Sequence, residues 1–174
     1  MAIHAQTGIE EDDKNPKKCI SVYCIMQSTR PASRARTYIG MAHKDPWYRL
    51  EQHNGVHTGG VKRLENGRPW ELVCFVHGFR SERHALVFEH AWQKGGNAWE
   101  LRHVAHGTLT KSGIRGRAKV LASLLVSRKW YGIGLGVHTD IQCANRHVIC
   151  DALHAHGYRN TSEGVHGSLP RSQF

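Results

Sequence analysis

Between Cys19 and Gln27 the chain reads "CISVYCIMQ", a run of apolar and β-favouring residues, and the same character returns in "TYIGMA" at residues 37–42. The intervening "STRPASRAR" is made of turn formers and arginines, so the pattern predicts a β-hairpin. Its loop is too polar to bury, which projects Arg30, Arg34 and Arg36 into solvent. "KDPWYRLEQHNG" carries helix punctuation at both ends: Asp45 as N-cap, Pro46 in the first helical position and Asn54-Gly55 as the stop. Arg49 and His53 stand one turn apart on that helix, where a single phosphate could meet both; an ordinary exposed polar face gives the same spacing. "GVHTGGVKRLENGRP" is rich in glycine and basic residues, among them Lys62 and Arg63, and predicts a mobile surface loop. "WELVCFVHGF" then has the continuous β-prone character of a central strand.

Ser81 caps the next predicted helix and Gly95-Gly96 ends it. Ala85, Phe88 and Trp92 make an apolar stripe at i, i+3 and i+7, and Glu89 occupies the i+4 position of the same stripe. An ionised carboxylate turned inward costs several kcal/mol unless a cation or guanidinium compensates it. A glutamate at the stripe's margin that reaches water would need no such partner. A last amphipathic helix is predicted from about Arg117 to Trp130, with Val120, Leu121, Leu124 and Leu125 inward. Beyond Asp140 the chain turns His-, Gly- and Ser-rich: residues 141–174 are expected to be a polar tail, disordered over "RNTSEGVHGSLPRSQF" at 159–174. The order strand, strand, helix, strand, helix, helix predicts an α/β fold, a small antiparallel β-sheet flanked by helices with an additional C-terminal basic helix. Residues 1–18 carry "EEDDKNPKK" and no apolar stretch of a secretory signal; they are expected to be a flexible leader to a domain at 19–140.

Composition narrows the partners. The 174 residues suit one domain, and no apolar run approaches the ~18 residues of a membrane span. Lys+Arg number 24 against 14 Asp+Glu, a formal charge of +10, and no acidic residue lies between Glu100 and Asp140. Arg102, Lys111, Arg115, Arg117, Lys119, Arg128 and Lys129 accumulate there, so a polyanion is the natural partner, although a solvated basic face would look alike. Five cysteines, an odd set with no C-x-x-C pair, point to a reducing compartment, cytosol or nucleus.

Tyr23 in "SVY" and Tyr38 in "TYIG", with Gly40 closing the second string, resemble the paired motif of the GIY-YIG nuclease superfamily. The blocks "VYCI", "TYIGMA", "YRLEQHNG", "RPWELVCFVHGF" and "ALVFEHAWQ" are similar, in order and spacing, to the catalytic subunits of Slx-type structure-specific endonucleases. The resemblance spans about residues 20–140 and thins after Gln93. It implies that Tyr23 and Tyr38 are the motif tyrosines, Arg49 the helix arginine, His53 the histidine one turn on, and Glu89 the ligand of a Mg²⁺ or Mn²⁺ ion. Phosphodiester hydrolysis needs an activated water, neutralisation of charge on phosphorus-bound oxygens and help for the departing oxygen. Arg49 supplies a permanent charge. A phenol, with a free pKa near ~10, accepts the water's proton only where positive charge favours phenolate. Tyr23 stands slightly ahead of Tyr38 for that role, with His53 as its hydrogen-bond partner.

The implied function is a metal-dependent nuclease of branched DNA, 5′ flaps and four-way junctions, in nuclear repair and recombination. Phosphate contacts would come from Arg30, Arg34, Arg36, Lys62, Arg63, Arg115, Arg117 and Lys119. A non-catalytic binding module and a site-specific nuclease of restriction or homing type are the alternatives. Two features depart from the family pattern. Ser21 replaces the first motif's glycine. The RING-like zinc module is expected to be absent or a remnant, which puts a scaffold subunit in doubt and leaves a homodimer open. Cys143, His147, Cys150 and His154 number enough for tetrahedral zinc, but four ligands so compact on one helix would not all point inward, and zinc is not expected.

Overall fold

A computed structural model describes residues 20–102 and 113–164. The leader at 1–18 lies outside them, as do Cys19 and Lys111. The chain forms β1 (Ser21–Gln27), β2 (Thr37–Ala42), α1 (Pro46–Asn54), a 3-10 turn (Lys62–Gly67), β3 (Trp70–His77), α2 (Glu82–Lys94), two further 3-10 turns (Gly95–Asn97 and Trp99–Leu101), α3 (Gly113–Leu125), β4 (Gly136–Asp140), α4 (Arg146–Ala155) and β5 (Thr161–Gly164). The strands make one sheet in the order β2-β1-β3-β4-β5, antiparallel except for the parallel β4–β5 pair.

Every residue of β1 is buried, because the strand is paired on both edges and covered on both faces. Period-2 alternation divides its side chains between two cores. Val22, Cys24 and Met26 join Phe88 and Trp92 of α2, Leu121 and Leu124 of α3 and Ile149 and Leu153 of α4. Tyr23 and Ile25 face the other way, against Trp47 of α1, Leu64 of the 3-10 turn, and Leu72 and Phe75 of β3. One extra residue in β3 breaks the β1–β3 register, since Cys24 pairs with Cys74 while Ile25 pairs with Leu72. Both predicted helix caps form. Asp45 accepts the Trp47 N–H at 2.9 Å and Gly55 ends α1 at φ 85°, while Ser81 accepts the His84 N–H at 3.3 Å.

Three expectations need correction. The helix predicted at 117–130 begins at Gly113 and ends at Leu125, because Ser127 and Trp130 belong to the tight turns that follow. The segment after Asp140 is not a tail throughout. Ile149 and Leu153, one turn apart, bury α4 against the larger core, and β5 pairs in parallel with β4, so the sheet extends to Gly164. Glycines 132, 134 and 136 and the interspersed histidines mask these elements in the sequence. The glycine-rich stretch after α1 is also tied down rather than loose: Gln52 Nε2 donates to Thr58 O at 2.9 Å and Arg49 Nη1 to Gly59 O at 2.9 Å. Among the described residues no helix is long and apolar enough to cross a membrane.

If α4 is part of the core, truncating its anchor must cost cavity energy. Leu153 has no exposed surface. Leu153→Ala should lower unfolding free energy by about 2–5 kcal/mol in a urea titration, whereas truncation in a tail would leave the midpoint unmoved.

Candidate active site

The tyrosine cluster is built by a close approach between β1 and β2. Tyr23 lies opposite Gly40 in the antiparallel register, and its ring passes over the glycine's Cα. A Cβ at position 40 would sit 2.5 Å from Tyr23 Oη and 2.8 Å from Tyr38 Cε1, distances that real contacts do not sustain. The glycine two residues beyond Tyr38 is therefore a space requirement of Tyr23. His53 completes the group from α1: its Nε2 is 2.7 Å from Tyr23 Oη, and its ring centroid lies 5.9 Å from that of Tyr23 and 5.7 Å from that of Tyr38. Tyr23 and His53 are both 1% exposed, whereas Tyr38 is half-buried at the rim.

The hydrogen bonds assign the histidine's proton. Burial, with the charges of Arg49 and Arg68 adding to it, holds the His53 pKa down to about 4, so the ring is neutral near pH 7. The Val61 N–H donates to Nδ1 at 3.4 Å, which makes Nδ1 the acceptor and leaves the proton on Nε2. Nε2–H then donates to Tyr23 Oη. His53 thus steadies the oxygen and is poorly placed to take a proton from it. Burial raises the Tyr23 pKa above the usual phenol value, and Tyr38 adds to the rise. The Arg49 guanidinium opposes it. Arg49 is itself held by Gln52 Oε1 at 2.7 Å and Gly59 O, so its charge is fixed beside the phenol. Arg68 Nε donates to His53 O at 2.7 Å and locks the end of α1.

Glu89 reaches this cluster from the opposite layer. It lies half-buried at the margin of the apolar stripe, where Ala85, Phe88 and Trp92 are fully covered. Gln93, one turn on, donates through Nε2 to Glu89 Oε1 at 2.8 Å and to Ile39 O of β2 at 3.0 Å, pinning the carboxylate to the sheet edge that carries Tyr38. Burial raises the Glu89 pKa, and the Arg63 guanidinium and the Gln93 bond pull it back. Arg63 stands 5.1 Å over the Tyr38 ring, and the Glu89 charge in turn raises the Tyr23 pKa. Tyr23, Tyr38, Arg49, His53, Arg63 and Glu89 therefore share one electrostatic neighbourhood. Among the described residues no three His, Cys, Asp or Glu side chains converge as a ready metal cage.

The expected phosphate contacts divide. Arg30, Arg34 and Arg36 are exposed on the hairpin loop, Lys62 and Arg63 on the 3-10 turn, and Arg115 and Lys119 one turn apart on α3. Arg117 is otherwise engaged: Nη1 donates to Trp92 O at 3.1 Å and Gln93 O at 3.2 Å, carbonyls at the end of α2, while Arg117 O accepts from Trp92 Nε1 at 2.9 Å. It locks α3 to α2 and does not serve as an open phosphate contact. The four tail residues do not gather. Cys143 is buried beside Glu71 with its thiol pushed up to about 12 by burial, and His147 and His154 are exposed on α4. Sequence reasoning passed over Gln93 and Gln52, which orient Glu89 and Arg49. Their i+4 and i+3 offsets from those residues were the available signal.

Residues 19–102 match the family described as the GIY-YIG catalytic domain, and the chain carries that domain. Over 142 residues, 81% of its length, the chain is 32% identical to the structure-specific endonuclease subunit SLX1 of Mus musculus, covering 52% of that protein. It is 43% identical over 76 residues to subunit slx1 of Schizosaccharomyces pombe and 47% identical over 74 residues to the SLX1 homolog of Caenorhabditis elegans. Those matches take in 42% and 41% of this chain, and 28% and 16% of the relatives. The chain thus spans about half or less of the curated relatives it matches.

The neutral histidine has a stability signature. Its folded pKa of about 4 lies below the ordinary 6.5, so its contribution is fully present above pH 6.5 and is lost as pH falls toward 4, where only the unfolded chain takes the proton. Unfolding free energy should fall through that window by up to about 1.4 kcal/mol per pH unit from this one group. His77, also lowered by burial, adds in the same direction. Urea titrations from pH 4 to 7 should show a shallower fall for His53→Gln than for the wild type. An equal slope in the two proteins would contradict a neutral His53.

Proposed function

We propose that this chain is the catalytic part of a metal-dependent, structure-specific DNA endonuclease that hydrolyses phosphodiesters near the branch point of 5′ flaps and four-way junctions. The observation that carries the reading is the surroundings of Tyr23 Oη: an N–H donor from His53 at 2.7 Å, the fixed charge of Arg49, and a Glu89 carboxylate near enough to act on it electrostatically. Water attacks phosphorus as the bond to the departing oxygen breaks, and the water's proton passes to the Tyr23 phenolate. Arg49 neutralises charge on the non-bridging oxygens. His53 Nε2–H and Arg49 both favour the phenolate that burial opposes.

A half-buried carboxylate whose burial raises its proton affinity has the same reason to take a cation. One such ligand suits a hard ion that keeps most of its waters. Glu89, oriented by Gln93, would hold Mg²⁺ or Mn²⁺, which when bound supplies Lewis-acid charge for the phosphate and the departing oxygen. The exposed cations of the hairpin loop, the 3-10 turn and α3 give sequence-independent grip on the phosphates. The relatives are named as subunits, so assembly with a scaffold partner, or with a second copy, belongs to the same proposal, as do work in repair and recombination and a nuclear location.

The deciding experiment is cleavage of a panel of flap, splayed-arm, four-way-junction and linear duplex DNA in Mg²⁺ or Mn²⁺. Wild type should nick the branched members. Glu89→Gln should lose at least about 100-fold in single-turnover rate yet melt no lower than wild type, because the amide keeps an acceptor for Gln93 and relieves a buried charge. A protein that binds branches and never nicks them would be a binding module instead, and a single cut in linear duplex would mark a site-specific nuclease.

The proton acceptor has its own test. With the Tyr23 pKa raised by burial, the phenolate fraction grows about tenfold per pH unit across neutrality. Single-turnover rates should climb from pH 6 to 9 with no plateau. Tyr23→Phe should flatten that climb; a plateau with its midpoint near pH 6–7 would transfer the role to a histidine.

A further inference from the structure

A groove of about 540 Å³ is lined by residues of α2, Glu89 and Gln93 among them, and by Ala98, Trp99 and Glu100 at the 3-10 turn that follows. Its apolar lining includes Val87, Ala98 and Leu86, the last 46% exposed. Trp99 is 66% exposed, whereas the other four tryptophans, at positions 47, 70, 92 and 130, are at most 4% exposed. The Arg102 guanidinium lies 4.5 Å over the Trp99 ring, which fixes the indole and occupies one face only. Arg83 and Lys94, both exposed, line the groove. Its one acidic residue besides Glu89 is Glu100, and that carboxylate is bound to Lys129 Nζ at 2.7 Å. The groove thus combines an exposed aromatic ring with apolar lining and a fringe of cations, and it shares Glu89 and Gln93 with the candidate active site.

We infer that Trp99 is a stacking platform for an unpaired nucleotide of the DNA strand entering the active site, with Arg83 and Lys94 meeting the flanking phosphates. The inference rests on the nuclease reading and deepens it, for it names which part of a branched substrate this side of the site recognises. Base faces are available only where a strand is unpaired; in duplex they are already stacked. An aromatic platform beside Glu89 therefore favours substrates with a single-stranded arm at the branch without reading their sequence.

The test uses wild type, Trp99→Ala and Trp99→Phe in a chelating buffer, so that no DNA is cut, with two probes: a 5′-flap DNA bearing a thymidine flap, and a blunt duplex of the same length. Affinity is followed by anisotropy and stacking by tryptophan emission. Since Trp99 is the exposed tryptophan, the flap should quench emission and shield it from acrylamide. Trp99→Ala should weaken flap binding about tenfold, the size of one lost base–aromatic stack, with duplex binding within about twofold of wild type. Trp99→Phe should retain the affinity while losing the quenching. Unchanged flap affinity in Trp99→Ala would overturn the inference, as would equal loss on both probes. Loss of a concentration-dependent dimer with DNA affinity intact would assign the platform to self-association and overturn it as well. Cleavage in Mg²⁺ separates the two readings. A wild type that never nicks but shows Trp99-dependent flap binding removes the nuclease and leaves the platform, and a nicking wild type with an indifferent Trp99→Ala does the reverse.

Discussion

The site depends on the absence of one carbon atom. Tyr23 can lie across the β1–β2 pair only because position 40 has no Cβ, and every later contact follows from where that ring rests. Its hydroxyl meets His53 because the ring extends toward α1, and Tyr38 stands beside it because the strand places it two residues before the glycine. Gly60 makes a parallel contribution. It packs on the backbone of Gln52, where any Cβ would collide with the carbonyl oxygen, and this lets the loop after α1 fold back to present Gly59 O to Arg49 and the Val61 N–H to His53. Two close backbone approaches thus orient a phenol, an imidazole and a guanidinium.

Burial pushes the two central titratable groups in opposite directions on the pH scale, and both shifts favour the neutral form. The His53 pKa falls and the Tyr23 pKa rises, so the pair rests as imidazole and phenol. Arg49 acts on both with one sign: positive charge disfavours a cationic His53 and favours an anionic Tyr23. The histidine is thereby kept a donor while the phenolate is brought closer. With both groups neutral, the charges next to them are those of Arg49 and Glu89, each half-buried at the boundary between core and solvent.

Much of this was legible in the sequence because the signals were local. Asp45-Pro46 and Asn54-Gly55 delimit α1, and "TYIGMA" coincides with β2. The spacing of Arg49 and His53 places both on the face that meets the sheet. What escaped had causes in pairing and packing. β5, "TSEG", has no apolar pattern, since it is held by backbone pairing to β4 at the edge of the sheet. The two inward residues of α4 were hidden among histidines that face water. Arg117 looked like its neighbours Arg115 and Lys119 in a basic run, and only the packing of α3 on α2 separates it from them.

That separation shows how a basic helix is divided between structure and ligand. An exposed arginine keeps its hydrogen bonds with water and can exchange them for phosphate at small cost. Arg117 has already made that exchange, giving its donors to carbonyls at the end of α2 that would otherwise lack partners. The same carbonyls belong to Trp92 and Gln93, and Gln93 carries Glu89. Arg117, one of the cations expected to contact phosphate, is therefore better understood as the far end of the linkage that positions the carboxylate: α3 to Arg117, Arg117 to the last turn of α2, and that turn to Glu89 through Gln93. Its loss would be felt at the active site through geometry, not through a missing phosphate contact.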